Sequence, residues 1–425
     1  MRVALLATLS TFALVACGPS AESGDSSEQQ TAAAETNDYG YETYSDDNLA
    51  DTMASNDDRY MDESGSDAGS EDATPTDLPD SEERPIMQAQ VVLDRAGFGP
   101  GVIDGKMGMS TENALLGFQE ANDLETSGKL DDATKEALKD WERIPATRVV
   151  TIPTSWSDAT YSDIPDDTAA KAKMERLGYR SLDERVAERF HTTVDVLKRL
   201  NPNGKPAGSQ TGTGSQGNSG AEGADDRSSS ATPSSTSSST GGASKTSEGF
   251  FRAGQQIRVP NIGADRIAPG SLEDTDWQRT LASLGVGTEQ PEVDRIVVSK
   301  SEDTLKAYKG DTLVAMFTVS SGSSEFPLPL GEWDIVGEAY NPPYSYDPEV
   351  LGQGEGETYT LPPGPNGMVG VVWIDLSKEH YGIHGTPEPE TIGRAQSSGC
   401  VRLTNWDAAR LSQMVSTDTA VEFVA

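Results

Sequence analysis

The sequence predicts a multidomain protein, with a mostly-β C-terminal domain preceded by a small three-helix domain and a small α+β module. Three patterns lead to this prediction. Apolar residues recur at helical spacing in 85–141, two short helices and a strand follow in 149–262, and alternating apolar runs fill 293–425. A chain of 425 residues is long enough for two or three domains of roughly 100–200 residues each.

The composition excludes several functional classes. The chain carries 69 acidic and 33 basic residues, a formal net charge of −36. This balance argues against a nucleic-acid binder, whose binding surface is basic, and against electrostatic attraction to an anionic membrane. Two cysteines, Cys17 and Cys400, exclude a disulfide-rich scaffold. Three histidines are too few for a multi-histidine metal site.

Residues 1–17 have the pattern of an export signal. Arg2 precedes an apolar run, Val3 to Val15, that is too short to span a bilayer but suits a signal peptide. The ending Leu14-Val15-Ala16-Cys17 resembles the bacterial lipobox, which implies lipidation of Cys17. With Gly18 following, this resemblance implies a periplasmic outer-membrane lipoprotein of a Gram-negative bacterium. An ordinary signal peptide with a chance cysteine is the alternative.

Residues 18–84 are predicted to be a disordered acidic tether. They hold twenty acidic residues and two basic ones, and their apolar residues follow no period. Such a segment buries too little apolar surface to offset its ordering entropy. A flexible chain of this length spans roughly 45 Å, which suits a protein held at a membrane while it works on a nearby polymer.

Residues 85–141 are predicted to form the three-helix domain. Glycine-rich turns separate apolar helical segments, Ser110 is a predicted cap of the second helix, and Asp131 is a predicted cap of a third helix ending at Trp141. The stretches LDRAGFGPGVIDGKMGMSTENALLGFQEANDL and SGKLDDATKEAL resemble the three-helix peptidoglycan-binding module. That resemblance implies peptidoglycan as a partner.

Residues 149–262 are predicted to form a small α+β module. Apolar residues in 181–202 fit two short helices broken near His191, which we interpret as a turn residue. The later stretch GQQIRVP is predicted to be a strand that ends in proline. This order resembles a divergent LysM fold, which implies glycan binding, with a purely structural role equally open. Residues 203–249 interrupt it with a low-complexity insert, in which 29 of 47 residues are Ser, Gly or Thr. Residues 263–292 are interpreted as a connector.

Residues 293–425 are predicted to be mostly β. Gly310-Asp311 supplies a hairpin turn between two strands, and Asp407–Met414 is a short closing helix. The predicted strands are Arg295–Val298, Thr304–Tyr308, Leu313–Ser320, Gly331–Val336 and Val369–Ile374.

Cys400 is the candidate nucleophile of this domain. An unpaired thiol in an oxidising compartment is a liability unless it is used, and a histidine elsewhere in the chain, His384, can favour its reactive thiolate. The backbone N–H groups of Ser398, Gly399 and Cys400 suit a developing oxyanion, and Arg402 suits a substrate carboxylate. A buried, inert cysteine is the alternative.

The end of the chain resembles the L,D-transpeptidase catalytic domain of the YkuD type. The motif consists of His384-Gly385-Thr386 and of SSGCVRL, which runs from Ser397 to Leu403. The resemblance implies a β-sandwich-like fold, with Cys400 as nucleophile, His384 as base and Gly385 and Thr386 beside them. It also implies acylation of Cys400 by a carbapenem. Many members have a histidine where this chain has Ser398.

The same resemblance implies a reaction and its rivals. Cys400 attacks the third residue of a peptidoglycan tetrapeptide stem, D-alanine leaves, and an amine of a second stem or of a protein resolves the thioester. Water in place of that amine gives a hydrolase, either an L,D-carboxypeptidase or an amidase. A third hypothesis is a non-catalytic, tethered peptidoglycan-binding protein. The sequence does not choose the acceptor, the oligomeric state or the regulation.

Overall fold

The computed structural model describes residues 78–139, 143–209, 249–263, 272–394 and 399–425. All of these belong to one compact unit. The predicted lipidation site Cys17 and nearly all of the predicted tether and insert lie outside the described residues. In the described ranges, no helix combines the length and the apolar character that a membrane crossing requires.

The first module contains the three predicted helices and one unpredicted strand. Asp131 caps the third helix, since its side chain accepts from the Thr134 N–H, as predicted. The prediction for Ser110 is wrong, because Gly108 occupies the N-cap position and Ser110 already lies inside the second helix. The elements are α1 (Pro85–Arg95), β1 (Phe98–Gly99), α2 (Met109–Ala121) and α3 (Asp132–Ala137).

The second module has a strand at each end and short helices between them. Ser181 and Thr193 cap its two main helices through their side-chain oxygens, so the break predicted around residues 191–193 is the start of a new helix. The two strands pair antiparallel. The elements are β2 (Thr147–Thr151), α4 (Thr168–Lys171), α5 (Leu182–Arg189), α6 (Val194–Leu200) and β3 (Gln256–Pro260).

The predicted connector contains a helix, α7 (Thr275–Leu284). Asp274 caps its start by accepting from the Trp277 N–H, and Gly285 ends it in the left-handed conformation at φ +71°. Trp277, Leu281 and Leu284 form one buried face. The cap residue and the helical spacing were visible in the sequence as signals for this helix.

The C-terminal part is a mixed sheet with one helix, which confirms the mostly-β prediction. Gly310, at φ +58°, makes the predicted hairpin turn between the second and third of these strands. The elements are β4 (Arg295–Ser299), β5 (Thr304–Lys309), β6 (Thr312–Thr318), β7 (Ser320–Ser321), β8 (Gly331–Tyr340), β9 (Tyr344–Tyr346), β10 (Tyr359–Leu361), β11 (Val372–Leu376), β12 (Gly382–His384), β13 (Val401–Arg402), α8 (Asn405–Ser412) and β14 (Ala420–Val424).

One long strand joins the two halves of the sheet, whose order is β1-β6-β5-β4-β14-β8-β11-β12-β13-β7. The first half of β8 pairs with β14, and its second half pairs with β11. Apolar residues from both halves, from α7 and from α8 share one core. This core fixes β11, β12 and β13, which are the strands that carry the candidate site.

The first module completes the sheet of the C-terminal domain. Phe98 and Gly99 of β1 pair in parallel with Met316 and Phe317 of β6. Met316 and Leu313 also belong to the hydrophobic core of the first module. The module is therefore packed as part of the domain and is not attached to it by a linker alone.

A buried polar cluster joins all three modules. The Asp94 carboxylate of α1 lies 3.3 Å from His191 Nδ1 and 3.4 Å from Arg410 Nη1. The His191 ring stacks on Trp406, with the two ring centroids 4.9 Å apart. His191 has a positive φ of 52°, as suits the predicted turn, but it is fully buried and its Nε2 also bonds to the Leu284 carbonyl.

Candidate active site

Strand pairing places the two predicted catalytic residues on one face of the sheet. β12 runs parallel to β13, with Ile383 beside Val401 and His384 beside Arg402. Paired residues share a face and successive side chains alternate, so Ile383 and Val401 point into the core. Cys400, two residues before Arg402, therefore lies on the same face as His384.

The Cys400 thiol is held among backbone groups. Its Sγ lies 3.7 Å from the His380 carbonyl oxygen, and it also takes a hydrogen bond from the Gly382 backbone. Burial raises the pKa of Cys400, the Gly382 hydrogen bond lowers it, and the negative charge of Asp375 raises it, with a net rise. The resting form of Cys400 at neutral pH is therefore the thiol.

His384 is fixed in the tautomer that a base requires. Its Nδ1 lies 2.7 Å from the Gly385 carbonyl oxygen, which can only accept, so Nδ1 carries the proton and Nε2 keeps its lone pair. The ring is buried and stacks on Trp373, with the ring centroids 5.5 Å apart. Burial, opposed by the Gly385 hydrogen bond and aided by the charge of Arg402, lowers the pKa of His384 to about 4.

At neutral pH, Cys400 is therefore a neutral thiol and His384 a neutral imidazole, on the same face of the sheet. The sequence suggested that a nearby imidazole would favour the thiolate, but burial disfavours the charged form of both groups. A neutral imidazole with a free Nε2 lone pair can accept a proton, which is the chemistry that a general base requires.

The pH dependence of Cys400 alkylation tests this description. Only the thiolate reacts with iodoacetamide, and the raised pKa of Cys400 means that alkylation is slow at pH 7 and still rises above pH 9. His384→Ala should change this profile little, because a ring with a pKa of about 4 is uncharged throughout that range. Alkylation measured by peptide mass spectrometry checks this, and a neutral-pH plateau that disappears in His384→Ala would contradict it.

Gly399 is required by the shape of the turn that leads into the nucleophile. Its φ is +106°, and a Cβ at this position would lie 2.7 Å from the Tyr381 ring. Tyr381 therefore packs directly against the backbone that precedes Cys400. Ser398, the other residue predicted for oxyanion binding, lies outside the described residues.

The remaining predicted site residues surround His384. Gly385 supplies the carbonyl that fixes the His384 tautomer. Thr386 is buried, and its Oγ1 accepts from the Glu388 N–H at 3.3 Å, which stabilises the turn after β12. Arg402 pairs with His384 in the strand register. Burial lowers the pKa of Arg402, and the negative charge of Glu388 opposes this only in part.

Two residues that the sequence did not single out, Trp373 and Asp375, lie on the same face as His384. Trp373 pairs with His384 across β11 and β12, and Asp375 pairs with Gly382. The Trp373 indole lies over Gly382 and donates from Nε1 to the Asp375 carboxylate at 3.0 Å. The alternation in the stretch from Val372 to Leu376 was the available signal, since it places Trp373 and Asp375 on the face opposite the core.

The His380 side chain is not part of this cluster, and the described residues show no metal site near it. The His380 side chain is exposed in the turn before β12, with its Nε2 3.5 Å from a Glu379 carboxylate oxygen. Within the described ranges, no group of three or more His, Cys, Asp or Glu side chains is arranged to hold a metal ion.

Comparison with known families agrees with this geometry. Residues 293–423 match the model of the YkuD family, described as the L,D-transpeptidase catalytic domain. Residues 293–423 are named the YkuD domain for this match. Residues 83–138 match a second model, described as "Putative peptidoglycan binding domain". The resemblances to the YkuD domain and to the peptidoglycan-binding module are thereby confirmed, and the LysM and lipobox resemblances stay predictions.

The curated relatives match only part of the chain. The chain is 35% identical over 127 residues to "Putative L,D-transpeptidase YkuD" of Bacillus licheniformis, covering 30% of this chain and 63% of the relative. It is 30% identical over 135 residues to "Probable L,D-transpeptidase YbiS" of Escherichia coli, covering 30% of this chain and 44% of the relative. The chain therefore spans less than two thirds of the length of these relatives.

Solved structures of L,D-transpeptidases are also similar to part of the chain. One is an L,D-transpeptidase from Mycobacterium smegmatis, 22% identical, covering 32% of this chain and 59% of that protein with a TM-score of 0.27. Another is L,D-transpeptidase 1 of Mycobacterium tuberculosis, 17% identical, covering 31% of this chain and 60% of that protein with a TM-score of 0.24.

Proposed function

We propose that the protein is an L,D-transpeptidase that cross-links or remodels peptidoglycan. The observation that carries the proposal is the placement of Cys400 and His384 on one face of a YkuD domain, with the His384 tautomer fixed for proton acceptance. The peptidoglycan-binding module, packed against the same sheet, supports the choice of polymer.

The first half-reaction forms a thioester. Cys400 Sγ attacks the carbonyl carbon at the third residue of a tetrapeptide stem while His384 Nε2 takes the thiol proton. The C–N bond to the terminal D-alanine then breaks, and the departing amine receives that proton. Backbone N–H groups of Gly399 and Cys400 are the donors we assign to the oxyanion, with Ser398 proposed beside them. Arg402 is assigned to a substrate carboxylate.

The second half-reaction returns the enzyme to its starting state. An amine of a second stem attacks the thioester carbon, gives its proton to His384, and expels the Cys400 sulfur, which is reprotonated. The bond energy of the amide that is broken is retained in the thioester and then in the new amide. The cycle therefore needs no nucleotide, and our proposal includes no metal and no cofactor.

Purified tetrapeptide muropeptides test this function. The expected products are cross-linked dimers and free D-alanine, detected by chromatography and mass spectrometry. Tripeptide monomers alone would indicate a hydrolase that uses the same thioester. No conversion by correctly folded protein would leave only the third hypothesis, a wall-binding protein without catalysis.

We also propose that the enzyme works in the periplasm, held by a lipid on Cys17. The support is the lipobox-like ending of the first seventeen residues and the acidic segment that follows. Cys17→Ala should abolish lipidation and move the protein from the membrane fraction to the soluble fraction. Intact-mass analysis and fractionation check this, with Cys400→Ala as the matched cysteine control. A wild-type protein that lacks acyl chains would overturn the proposal.

A further inference from the structure

A carboxylate of the second module contacts the helix that follows the candidate site. Glu188 lies near the end of α5, and its Oε1 accepts from Asn405 Nδ2 at 2.7 Å. Asn405 is the first residue of α8, directly beyond β13. Glu188 therefore joins the second module to the short segment that follows the nucleophile strand.

The Asn405 carboxamide is fixed in one orientation. Its Nδ2 donates to Glu188 Oε1 and also to the Pro365 carbonyl at 3.0 Å, so both of its hydrogens are used. The amide oxygen Oδ1 must then point the other way. Asn405 Oδ1 is buried and has no hydrogen-bond partner in the described part of the chain.

Asn405 Oδ1 rests against the residue that fixes the His384 tautomer. A Cβ added to either Gly385 or Gly370 would collide with this oxygen, so both glycines contact it directly through their backbones. The Gly385 carbonyl is the acceptor for His384 Nδ1 at 2.7 Å. A continuous set of contacts therefore runs from Glu188 through Asn405 and Gly385 to His384.

Glu188 is itself held by a second partner. Tyr179 donates a hydrogen bond to its carboxylate, and the Tyr179 hydroxyl lies 3.4 Å from Ser283 Oγ of α7. Burial, opposed by the bonds from Asn405 and Tyr179, raises the pKa of Glu188 to about 7. Oε1 accepts from Asn405 in the charged form and in the form protonated on the other oxygen, so the contact persists across neutral pH.

We infer that Glu188 is a positioning residue for His384, supplied to the YkuD domain by the second module. This inference rests on the proposed function. It means that the base is held correctly only when the second module is docked against the YkuD domain. Glu188 lies outside residues 293–423, so the match to the YkuD family does not include it.

The test compares three variants of the full chain. Glu188→Ala removes the acceptor, and Glu188→Gln restores an acceptor oxygen of the same reach. Glu184→Ala is the matched control. Glu184 lies one turn before Glu188 on α5. Its carboxylate also contacts the YkuD domain, because it accepts from Asn366 Nδ2 at 3.2 Å, but it does not contact Asn405. Thermal melting of each variant reports any loosening of the interface.

The decisive measurement is acylation of Cys400 by a carbapenem, with the maximal rate and the half-saturating concentration determined separately. Because a displacement of about 1 Å in a catalytic group costs up to about a hundred-fold in rate, Glu188→Ala should slow the maximal acylation rate by about ten-fold. The half-saturating concentration should not change. Glu188→Gln should recover to within about three-fold of wild type, and Glu184→Ala should acylate like wild type at a temperature where it is folded.

Three results would overturn the inference while leaving the proposed function intact. They are wild-type acylation by Glu188→Ala, an equal loss in Glu184→Ala, and a failure of Glu188→Gln to recover. If Glu188→Ala does not fold, Glu188→Met takes its place, because it keeps the length of the side chain but has no acceptor oxygen; a maximal rate equal to that of Glu188→Gln would then overturn the inference. An inactive wild type would instead overturn the proposed function.

Discussion

Cys400→Ser is expected to abolish both carbapenem adduct formation and muropeptide conversion. The substitution keeps the size and position of the side chain but replaces the thiol with a hydroxyl, which is far harder to deprotonate. His384, with a pKa of about 4, is too weak a base to activate that hydroxyl. Intact-mass spectrometry after incubation with a carbapenem, and chromatography of muropeptide products, measure the two losses.

His384→Ala is expected to slow acylation by about 10²–10⁴-fold, the usual contribution of a positioned general base. The matched control is His380→Asn. The His380 ring is exposed and only its backbone carbonyl contacts Cys400 Sγ, so the substitution removes the imidazole and keeps that contact. Asparagine is chosen because it tolerates the φ of +66° at this position.

The results for the three variants separate the hypotheses. Wild type and His380→Asn should both gain the carbapenem mass. If His380→Asn loses as much rate as His384→Ala, the wrong histidine has been assigned as the base. If folded wild type gains no mass and forms no product, the enzyme proposal fails and the wall-binding hypothesis replaces it.

The site was predictable from the sequence where its chemistry is local. His384 and Cys400 stand in two short motifs of the sequence. The structure places His384 on β12 and Cys400 directly before the neighbouring β13. The contribution of Trp373 depends on a register between β11 and β12 that no local pattern specifies. The protonation states also depend on burial, which is a property of the whole fold.

The fold also has parts that local sequence signals predict and parts that they do not. The main helices of the first two modules followed from apolar spacing, and the third helix also from its Asp131 cap, because these signals act over a few positions. The parallel pairing of β1 with β6 joins residues more than two hundred positions apart, and a two-residue strand has no periodicity to detect. The three segments were predictable singly, but their packing into one unit was not.

His191 shows why that packing escaped prediction. A histidine in a turn between two helices is most often solvated, and no local pattern around His191 indicates its partners. In the structure its ring lies between Trp406 and the Asp94 carboxylate, which come from the other two modules. The cluster has a cost as well as a gain, because buried charges are tolerated only when they are paired.

Asp94→Asn is expected to destabilise the folded protein by about 3–5 kcal/mol at pH 7, because it removes the carboxylate that pairs with the buried Arg410 guanidinium. Asp94 and Arg410 are both buried, with side chains 0% and 7% exposed. Glu120→Gln is the matched control. It breaks a more exposed ion pair between the same two modules, Glu120 with Lys306 at 2.9 Å, and should cost about 0–1 kcal/mol.

The pH dependence distinguishes a charge effect from a loss of packing at Asp94. Burial alone would raise the pKa of Asp94, but the charges of Arg410 and His191 outweigh it and hold the pKa well below its usual range. Because the pKa of Asp94 is lower in the folded protein than in the unfolded chain, its charge stabilises the folded protein above the unfolded pKa of about 3.9. This stabilisation is lost as the pH falls below that value. The difference in unfolding free energy between wild type and Asp94→Asn should therefore shrink when urea unfolding is repeated below about pH 4. A difference that is equal at both pH values, or that matches Glu120→Gln at pH 7, would show that the Asp94 charge does not stabilise the junction of the modules.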